Sequence, residues 1–312
     1  GLVGSEMCIR DRPMPTLDID HLNKTFGDKQ ALDDMTFSVR DGEMYGFVGS
    51  NGAGKSTTMR IALGVLSADS GEVYFDGAPI NATNRRRIGY MPEERGLYGK
   101  ETLISQLVFF GELHGMGKNK ARRSGEELLD QLGLGERKDD KLDDLSLGNQ
   151  QRVQLAASLI HDPDMLILDE PFSGLDPVAV DVMSSMLKER TRRGVPVIFS
   201  SHQLDLVQRL CDRVGIVTHG RMVAEGTVDE LRQAGPTRYE IGTTARDWYP
   251  AGTQLVGATE RSVVLESADG VDDQDILHAA LAAGPVHSFG KHVPDLTEMF
   301  RDVVTSTETE EA

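Results

Sequence analysis

The feature that most constrains this chain is a glycine-rich stretch between a short apolar run and an amphipathic segment. It fits the pattern G-x-x-x-x-G-K-[ST] and reads Gly49-Ser50-Asn51-Gly52-Ala53-Gly54-Lys55-Ser56-Thr57. The apolar run Met44–Val48 predicts a buried strand, and Met59–Leu66 predicts a helix with one apolar face. Strand, glycine-rich loop and helix in this order form the context in which the pattern binds phosphate groups.

The backbone of this loop explains its chemistry. Glycines let successive N–H groups turn toward phosphate oxygens, and the following helix places about half a positive charge at its N-terminus. We expect Lys55 to reach the β- and γ-phosphates and the Ser56 hydroxyl to ligate Mg²⁺. The alternative is a glycine-rich turn without a ligand, which the flanking strand and helix disfavour. The loop therefore predicts a site for a nucleoside triphosphate.

A second apolar run, Met165–Leu168, ends in two adjacent acids, Asp169 and Glu170. Such a run predicts a buried parallel strand, and ligands of open α/β sheets bind at the carboxyl ends of such strands. Adjacent side chains of a strand point to opposite faces, so the two acids cannot share one role. We expect Asp169 to orient the Mg²⁺ shell through water and Glu170 to polarise the attacking water.

With these motifs in this order, the chain resembles the nucleotide-binding subunit of an ATP-binding-cassette (ABC) transporter, from Phe26 to about Leu231. A segment about twenty residues before Asp169 resembles the family signature, and it reads Leu145-Ser146-Leu147-Gly148-Asn149-Gln150-Gln151. In that family the signature contacts the γ-phosphate bound by the opposite subunit. Taken alone, the segment predicts a helix with Ser146 as N-cap, where Gly148 permits close approach.

Three further positions have roles that only the resemblance implies. It implies that Phe26 stacks on adenine, that Asp176 belongs to a dimer-contact loop, and that His202 senses the γ-phosphate. By residue type alone, the phenylalanine would more often be a core residue. Likewise, Ser173–Asp176 alone would be a turn, and a histidine at a strand end is usually incidental. Their register with the other motifs favours the functional interpretation.

One position departs from the family pattern. After Tyr90-Met91-Pro92 the family commonly has glutamine, whereas this chain has Glu93. A carboxylate keeps an oxygen for Mg²⁺, so we expect Glu93 to join Ser56 and Asp169 at the metal. It also adds negative charge near the triphosphate, so the magnesium dependence or the coupling to the partner is expected to differ. Because the other motif residues are intact, we interpret the chain as an active ATPase.

The implied fold is α/β: a P-loop NTPase domain of the ABC-ATPase type, followed by a small α+β domain. The resemblance gives the first domain a RecA-like core, an antiparallel β subdomain and an α-helical subdomain. We expect this domain over residues 14–235 and the C-terminal domain over residues 236–312, divided at Gly235-Pro236. Hydrophobic patterning predicts strands at Leu17–Leu22, Thr36–Val39, Gly71–Phe75, Val214–Val217 and Met222–Glu225. It predicts helices at Leu103–His114, Ala121–Leu132, Gln150–Ile160, Asp181–Arg190 and Leu204–Arg213.

The C-terminal domain resembles the small accessory domain of many exporter-type ABC ATPases, especially those likened to sodium-extrusion and multidrug ATPases. Its predicted strands and helices are Tyr239–Gly242, Gln254–Ala258, Ser262–Glu266, Gln274–Leu281 and Leu296–Val304. These residues contain no catalytic constellation. We therefore interpret the domain as a regulatory or dimer-supporting module rather than a ligand sensor.

Both ends of the sequence are expected to lie outside the folded domains. Residues 1–13 contain Glu6–Asp11, which looks like a translated sequencing adapter, so we expect synthesis to start at Met14. Ser306–Ala312 is acidic and is expected to be disordered. Of the two cysteines, Cys8 lies in the adapter-like segment, and Cys211 is expected to be a small buried hydrophobe in a reducing compartment.

The composition limits the kinds of partner that this chain is expected to bind. The 312 residues carry a formal charge of −17, which argues against a surface that tracks nucleic acid. No apolar run approaches the roughly 18 residues that span a bilayer, so transport would require a separate membrane subunit. The resemblance implies a permease encoded separately, gripped by the helical subdomain and the loop Glu93–Lys100. It also implies a peripheral position at the cytoplasmic face of a prokaryotic cell membrane.

The resulting hypothesis is ATP hydrolysis coupled to export, with Glu170, His202 and Lys55 as catalytic residues. Two copies, or one copy and a homologous ATPase subunit, would bind head to tail with ATP and Mg²⁺. Each ATP would lie between Gly49–Thr57 of one chain and Ser146–Gln150 of the other. The alternatives are a soluble non-transport ABC ATPase acting on ribosomes or DNA, and a regulatory ATP-binding subunit. A single phosphate loop, the absence of sustained heptads and the negative charge disfavour the first alternative.

Overall fold

A computed structural model of the protein describes residues 16–301 except 95, 234 and 269. The adapter-like segment with Cys8, the expected start at Met14 and the acidic tail Ser306–Ala312 lie outside the described residues. The chain divides between Glu225 and Gly226 into two compact units. The sequence expectation puts this division slightly later, at Gly235-Pro236.

The first unit alternates strands and helices. Its strands are β1 (Leu17–Phe26), β2 (Lys29–Val39), β3 (Met44–Gly49), β4 (Ser70–Phe75), β5 (Ala78–Pro79), β6 (Ile88–Met91), β7 (Met165–Leu168), β8 (Val197–Ser201), β9 (Arg213–Thr218) and β10 (Arg221–Thr227). Its α-helices are α1 (Lys55–Ala62), α2 (Leu103–Leu113), α3 (Lys118–Gln131), α4 (Leu147–Leu159), α5 (Pro177–Arg192) and α6 (Leu204–Leu210). Among the described residues, no helix combines the length and the apolar character needed to span a membrane.

A six-stranded sheet with the order β10-β9-β3-β8-β7-β6 forms the centre of this unit. The strands from β9 to β6 run parallel, and every residue of β3, β7 and β8 is buried. Strands that are covered on both faces have continuous apolar sequences. This explains the two apolar runs Met44–Val48 and Met165–Leu168 in the sequence. Since β8 lies between β3 and β7, the carboxyl ends of these three strands meet at one edge.

A second, antiparallel sheet with the order β2-β1-β4-β5 packs against the first. The contact is aromatic: the Phe37 ring of β2 lies 5.3 Å from that of Tyr45 and 5.1 Å from that of Phe47, between centroids. All three side chains are buried. The predicted strands are present, but β1 and β2 extend further than their alternating patterns indicated.

The helices α2 and α3 form the predicted helical subdomain, and together with α4, which packs against both, they make up the helical part of this unit. Thr102 caps α2, where its side chain accepts a hydrogen bond from the Ser105 N–H at 3.2 Å. Several helix boundaries differ from those predicted: α1 begins at Lys55 rather than Met59, α5 begins at Pro177 rather than Asp181, and α6 ends at Leu210 rather than Arg213. Cys211 therefore lies in extended backbone just after α6, half-buried rather than fully buried as expected, and desolvation raises the pKa of its thiol.

The second unit is a small α+β fold. Its elements are α7 (Val228–Gln233), β11 (Arg238–Gly242), β12 (Thr253–Ala258), β13 (Val263–Ser267), α8 (Asp273–Ala283) and β14 (Ser288–His292). The strands form an antiparallel sheet with the order β12-β13-β11-β14. Ile276 and Ala280 of α8 complete its core. The predicted piece Leu296–Val304 is helical from Leu296 to Arg301, and its remainder lies outside the described residues.

The stacked pair His114 and His161 in the helical part predicts that the free energy of unfolding decreases at acidic pH. The rings of His114 and His161 stack with centroids 3.6 Å apart and planes 6° apart. Burial first, and then the neighbouring His114, lower the pKa of His161 from 6.5 to about 4. The unfolded chain therefore binds the proton more readily, and this contribution to stability is lost as the pH falls from 6.5 toward 4.

Replacing His161 with phenylalanine should remove this pH dependence while keeping an aromatic ring in the stack. We expect the loss of unfolding free energy between pH 7 and pH 5 to be about 1–2 kcal/mol smaller in His161→Phe than in the wild type. Denaturant titrations at the two pH values measure it. An equal loss in both proteins would contradict the assignment.

Candidate functional site

The glycine-rich loop connects β3 to α1 at the carboxyl edge of the central sheet. Gly54, the residue before α1, has φ +105°, and its carbonyl accepts the Thr58 N–H at 2.9 Å. The Lys55 ammonium donates to the carbonyl oxygens of Gly49 at 2.6 Å and Ser50 at 3.1 Å. Burial lowers the pKa of Lys55, and the nearby Glu170 opposes that shift. A cation is thus held inside the turn of the loop.

Close packing explains two of the glycines. A Cβ atom at Gly49 would lie 2.4 Å from the Val217 carbonyl oxygen, and one at Gly54 would lie 2.7 Å from that of Ala31. Distances this short are not tolerated between a side chain and a backbone atom. The loop is therefore pressed against β9 and β2, and its conformation depends on glycine at both positions.

The loop opens onto a cleft of about 310 Å³. Its lining residues come from the antiparallel sheet, the loop and the ends of β6 and β7: Phe26, Lys29, Ala31, Asn51, Gly52, Gly54, Lys55, Ser56, Thr57, Glu93, Asp169 and Glu170. The structure thus brings together most of the residues that the sequence singled out for nucleotide and metal. Phe26 is 49% exposed, with the Lys24 ammonium 5.5 Å from its ring centroid.

Lys29 and Ala31 also line the cleft, although no sequence motif pointed to them. Lys29 pairs with Phe26 across the turn between β1 and β2. The two residues between them, Gly27 and Asp28, are typical of a hairpin turn. This signal could have placed Lys29 beside the ring of Phe26. A cation at this position adds a charge that suits a polyphosphate ligand.

Asp169 is almost fully buried at the end of β7. Its Oδ1 accepts a hydrogen bond of 2.6 Å from the Ser200 hydroxyl, whereas its buried Oδ2 has no hydrogen-bond partner in the described part of the chain. An unpaired buried carboxylate oxygen is costly unless a ligand satisfies it. This orphan oxygen, together with Ser56 and Glu93 in the same lining, fits a hard cation such as Mg²⁺.

Protein groups alone would not complete such a metal site. Within residues 16–301, apart from the three gaps, no group of three histidine, cysteine or acidic side chains is arranged to hold a metal ion. Mg²⁺ characteristically takes one or two protein ligands and obtains the rest from phosphates and water. The donor set therefore fits a metal that arrives with a nucleotide.

Glu170 has a left-handed backbone conformation, with φ +50°. Its Oε2 lies 3.0 Å from Nδ1 of His202, and its carbonyl accepts a hydrogen bond from the Gln151 side chain at 3.3 Å. Burial raises the pKa of Glu170, and the hydrogen bond from His202 opposes this shift. A carboxylate whose pKa lies above its ordinary value is a better proton acceptor near neutral pH.

The signature segment lies outside the cleft. Ser146, Leu147, Gly148, Asn149 and Gln150 contribute none of its lining residues. Ser146 occupies the N-cap position of α4, but its side chain makes no capping hydrogen bond, contrary to the expectation from its residue type. The side chain of Leu147 is 59% exposed, whereas Gln150 donates to the carbonyls of Leu142 and Leu145 at 3.1 Å. The first turn of α4 thus begins at the surface.

Two other predicted positions have local roles that the structure defines. Asp176 is the N-cap of α5, and its Oδ1 accepts the Ala179 N–H at 2.8 Å. Its role in a dimer contact stays a prediction. Glu93 lies in the loop after β6, next to Pro92, whose carbonyl accepts a hydrogen bond of 2.6 Å from Gln154 of α4. The loop that carries Glu93 is thus tied to the helical part.

Two family models match the chain. A model described as ABC transporter matches residues 32–173. A model described as the C-terminal domain of ATP-binding proteins like DrrA1-3 matches residues 226–304. The first match contains the loop, the signature segment and both acids, and the second begins where the second compact unit begins.

Individual relatives extend this similarity. An ABC transporter ATP-binding protein of Methanocaldococcus jannaschii is 44% identical over 217 residues, 70% of this chain and 79% of that protein. The Nod factor export ATP-binding protein I of Paraburkholderia xenovorans is 31% identical over 292 residues, 93% of this chain and 94% of that protein. A solved structure of an ATP-binding subunit of an ABC transporter shares 31% identity with a TM-score of 0.64, covering 70% of this chain and 92% of that chain.

Proposed function

The chain belongs to the ABC transporter ATP-binding proteins and is an ATPase, and from this premise we propose that it powers export through a separately encoded membrane permease. In this proposal two copies close head to tail on two ATP molecules at the cytoplasmic face of the membrane. The export direction is supported by the relative whose name assigns it to Nod factor export, because the similarity to that protein extends over nearly the full length of both chains.

The proposal of a dimer rests on the separation, within one chain, of the phosphate loop from the signature segment. The cleft contains the phosphate loop and both acids, whereas the signature residues line none of it and begin a helix at the surface. The N-terminus of a helix, where the first backbone N–H groups lack an intrahelical partner, suits an anionic ligand. A second copy would bring its signature segment to the open side of this cleft, so that ATP contacts both chains.

The proposed chemistry assigns one role to each side chain. The Lys55 ammonium binds the β- and γ-phosphates, and Phe26 stacks on adenine. Ser56, Glu93 and Asp169 would hold Mg²⁺, which when bound neutralises charge on the phosphate oxygens. Glu170 accepts a proton from the attacking water or orients it, and the hydrogen bond from His202 fixes the Glu170 carboxylate. Loss of the γ-phosphate removes contacts to both chains and opens the dimer.

A groove of about 400 Å³ is the docking site that we propose for the permease. Its lining includes apolar side chains such as Leu97 and Phe110, and also the basic residues Arg85 and Arg86. Pro92 and Gln154 also line the groove, and the hydrogen bond between them ties α4 to the loop that carries Glu93. Movement at the nucleotide cleft would therefore reach a helix docked in this groove.

Reversing a charge in the groove tests this assignment. Arg86→Glu should reduce co-purification with the proposed membrane permease about tenfold or more, while the ATPase activity of the isolated chain stays unchanged. Arg123→Glu, which reverses an exposed charge on α3 outside the groove, is the matched control. Equal co-purification of both variants would reject the groove, and no association of the wild type with any membrane subunit would favour a soluble ABC ATPase.

A further inference from the structure

Ser200, which no sequence motif singled out, contacts both acids of the cleft. It lies in β8 and is fully buried. Its hydroxyl donates to Oδ1 of Asp169 at 2.6 Å and accepts the backbone N–H of Glu170 at 2.8 Å. One side chain from a neighbouring strand therefore joins two consecutive residues that are proposed to have different roles.

The directions of these hydrogen bonds are fixed by their chemistry. A serine hydroxyl has a single proton to donate, and a backbone N–H can only donate. The proton of Ser200 must therefore go to Asp169, and its oxygen must accept from Glu170. With Oδ1 held in this way, rotation of the Asp169 carboxylate is restricted, and Oδ2 remains as a buried acceptor without a hydrogen-bond partner among the described residues.

The second hydrogen bond, from the Glu170 N–H to the Ser200 hydroxyl, holds the backbone of Glu170 in an unusual conformation. Glu170 has φ +50°, a conformation that residues other than glycine, asparagine, aspartate and histidine rarely adopt. Such a conformation persists only where surrounding contacts determine it. The bond from its N–H to Ser200 is one such contact, and the 3.0 Å hydrogen bond between the Glu170 side chain and His202 is another.

We propose that Ser200 is a positioning residue that fixes Asp169 toward the metal and the Glu170 backbone toward the reacting water. This inference rests on the roles proposed above for the two acids. Ser200 contacts neither nucleotide nor water in this scheme and acts only through Asp169 and Glu170. Its neighbour Ser201 is also buried, but its hydroxyl accepts the Gln203 N–H at 3.0 Å instead. Ser201 therefore provides a matched control.

The test compares Ser200→Ala, Ser200→Thr and Ser201→Ala with the wild type. Electron paramagnetic resonance measures Mn²⁺ binding in the presence of a non-hydrolysable ATP analogue, and steady-state assays measure kcat and KM for ATP at saturating Mg²⁺. We expect Ser200→Ala to weaken Mn²⁺ binding and to lower kcat, each about tenfold, the order of effect for losing one hydrogen bond to a charged group. KM for ATP should change less than about twofold, because the phosphate loop is intact. Ser200→Thr should restore both quantities, and Ser201→Ala should match the wild type.

Three results would overturn the proposal. One is wild-type Mn²⁺ binding in Ser200→Ala, and another is an equal loss in Ser200→Ala and Ser201→Ala, which would indicate general packing. The third is unchanged Mn²⁺ binding in Asp169→Asn, which would remove the metal role of Asp169 itself. If Asp169→Asn binds Mn²⁺ weakly and Ser200→Ala does not, only the Ser200 inference fails. Should Ser200→Ala not fold, Ser200→Cys keeps the volume with a weak donor and is expected to weaken Mn²⁺ binding similarly.

Discussion

Replacing Glu170 with glutamine should slow ATP turnover by about 10²–10⁴-fold while ATP binding is retained. The glutamine keeps the volume of the buried side chain but cannot accept a proton from water at neutral pH. The phosphate loop and the Lys55 ammonium do not depend on this carboxylate for their geometry. Phosphate release measures the turnover, and the fluorescence of a labelled ATP analogue measures the binding.

A surface substitution of the same type controls for the loss of one negative charge. Glu189 is exposed on α5, where it pairs with Arg193, so Glu189→Gln should turn over at the wild-type rate. An unchanged rate in Glu170→Gln would remove Glu170 from the catalytic role. A loss of ATP binding equal to the loss of turnover would instead assign Glu170 to the binding of the nucleotide.

Replacing His202 with alanine should lower kcat by about 10- to 100-fold, the range expected for losing a hydrogen bond to a charged group. It should also move the acid limb of the pH profile. Burial raises the pKa of Glu170, and the hydrogen bond from His202 is the strongest influence that lowers it. Without His202 that pKa rises further, so Glu170 becomes protonated at a higher pH, and the acid limb of kcat shifts to higher pH.

A pH series of steady-state rates for the wild type and His202→Ala measures both effects. His278→Ala, which removes an exposed histidine from α8 in the second unit, is expected to change neither. An acid limb that stays at the same pH while kcat falls would show that His202 acts without setting the protonation of Glu170.

The sequence was sufficient to predict the parts of the site that are contiguous in the chain. The apolar run before Gly49 and the run before Asp169 are strands buried on both faces, and their carboxyl ends meet at one edge of the central sheet. Helix boundaries were less predictable. The apolar pattern located the interior of α1, but its first turn, Lys55-Ser56-Thr57-Thr58, has no apolar periodicity. Its start at Lys55 is set by the left-handed conformation of Gly54.

Other features depend on pairing between distant segments. Ser200 reaches Asp169 only because β8 lies between β3 and β7, and no local pattern states that strand order. Lys29 joins the cleft through the pairing of β1 with β2, in a part of β1 where register shifts interrupt the alternation. Ser146 has the residue type of a capping serine, but its conformation leaves the capping hydrogen bond unmade.

The central claim is that ATP bridges two copies of this chain, and light scattering with size-exclusion chromatography on Glu170→Gln tests it most directly. With ATP and Mg²⁺ the variant should elute at twice the 34.1 kDa mass of the chain, and without nucleotide it should elute as a single chain. Adding Lys55→Ala to the variant should abolish the dimer, because the phosphate contact is lost. A single-chain mass for Glu170→Gln at saturating ATP would contradict the account.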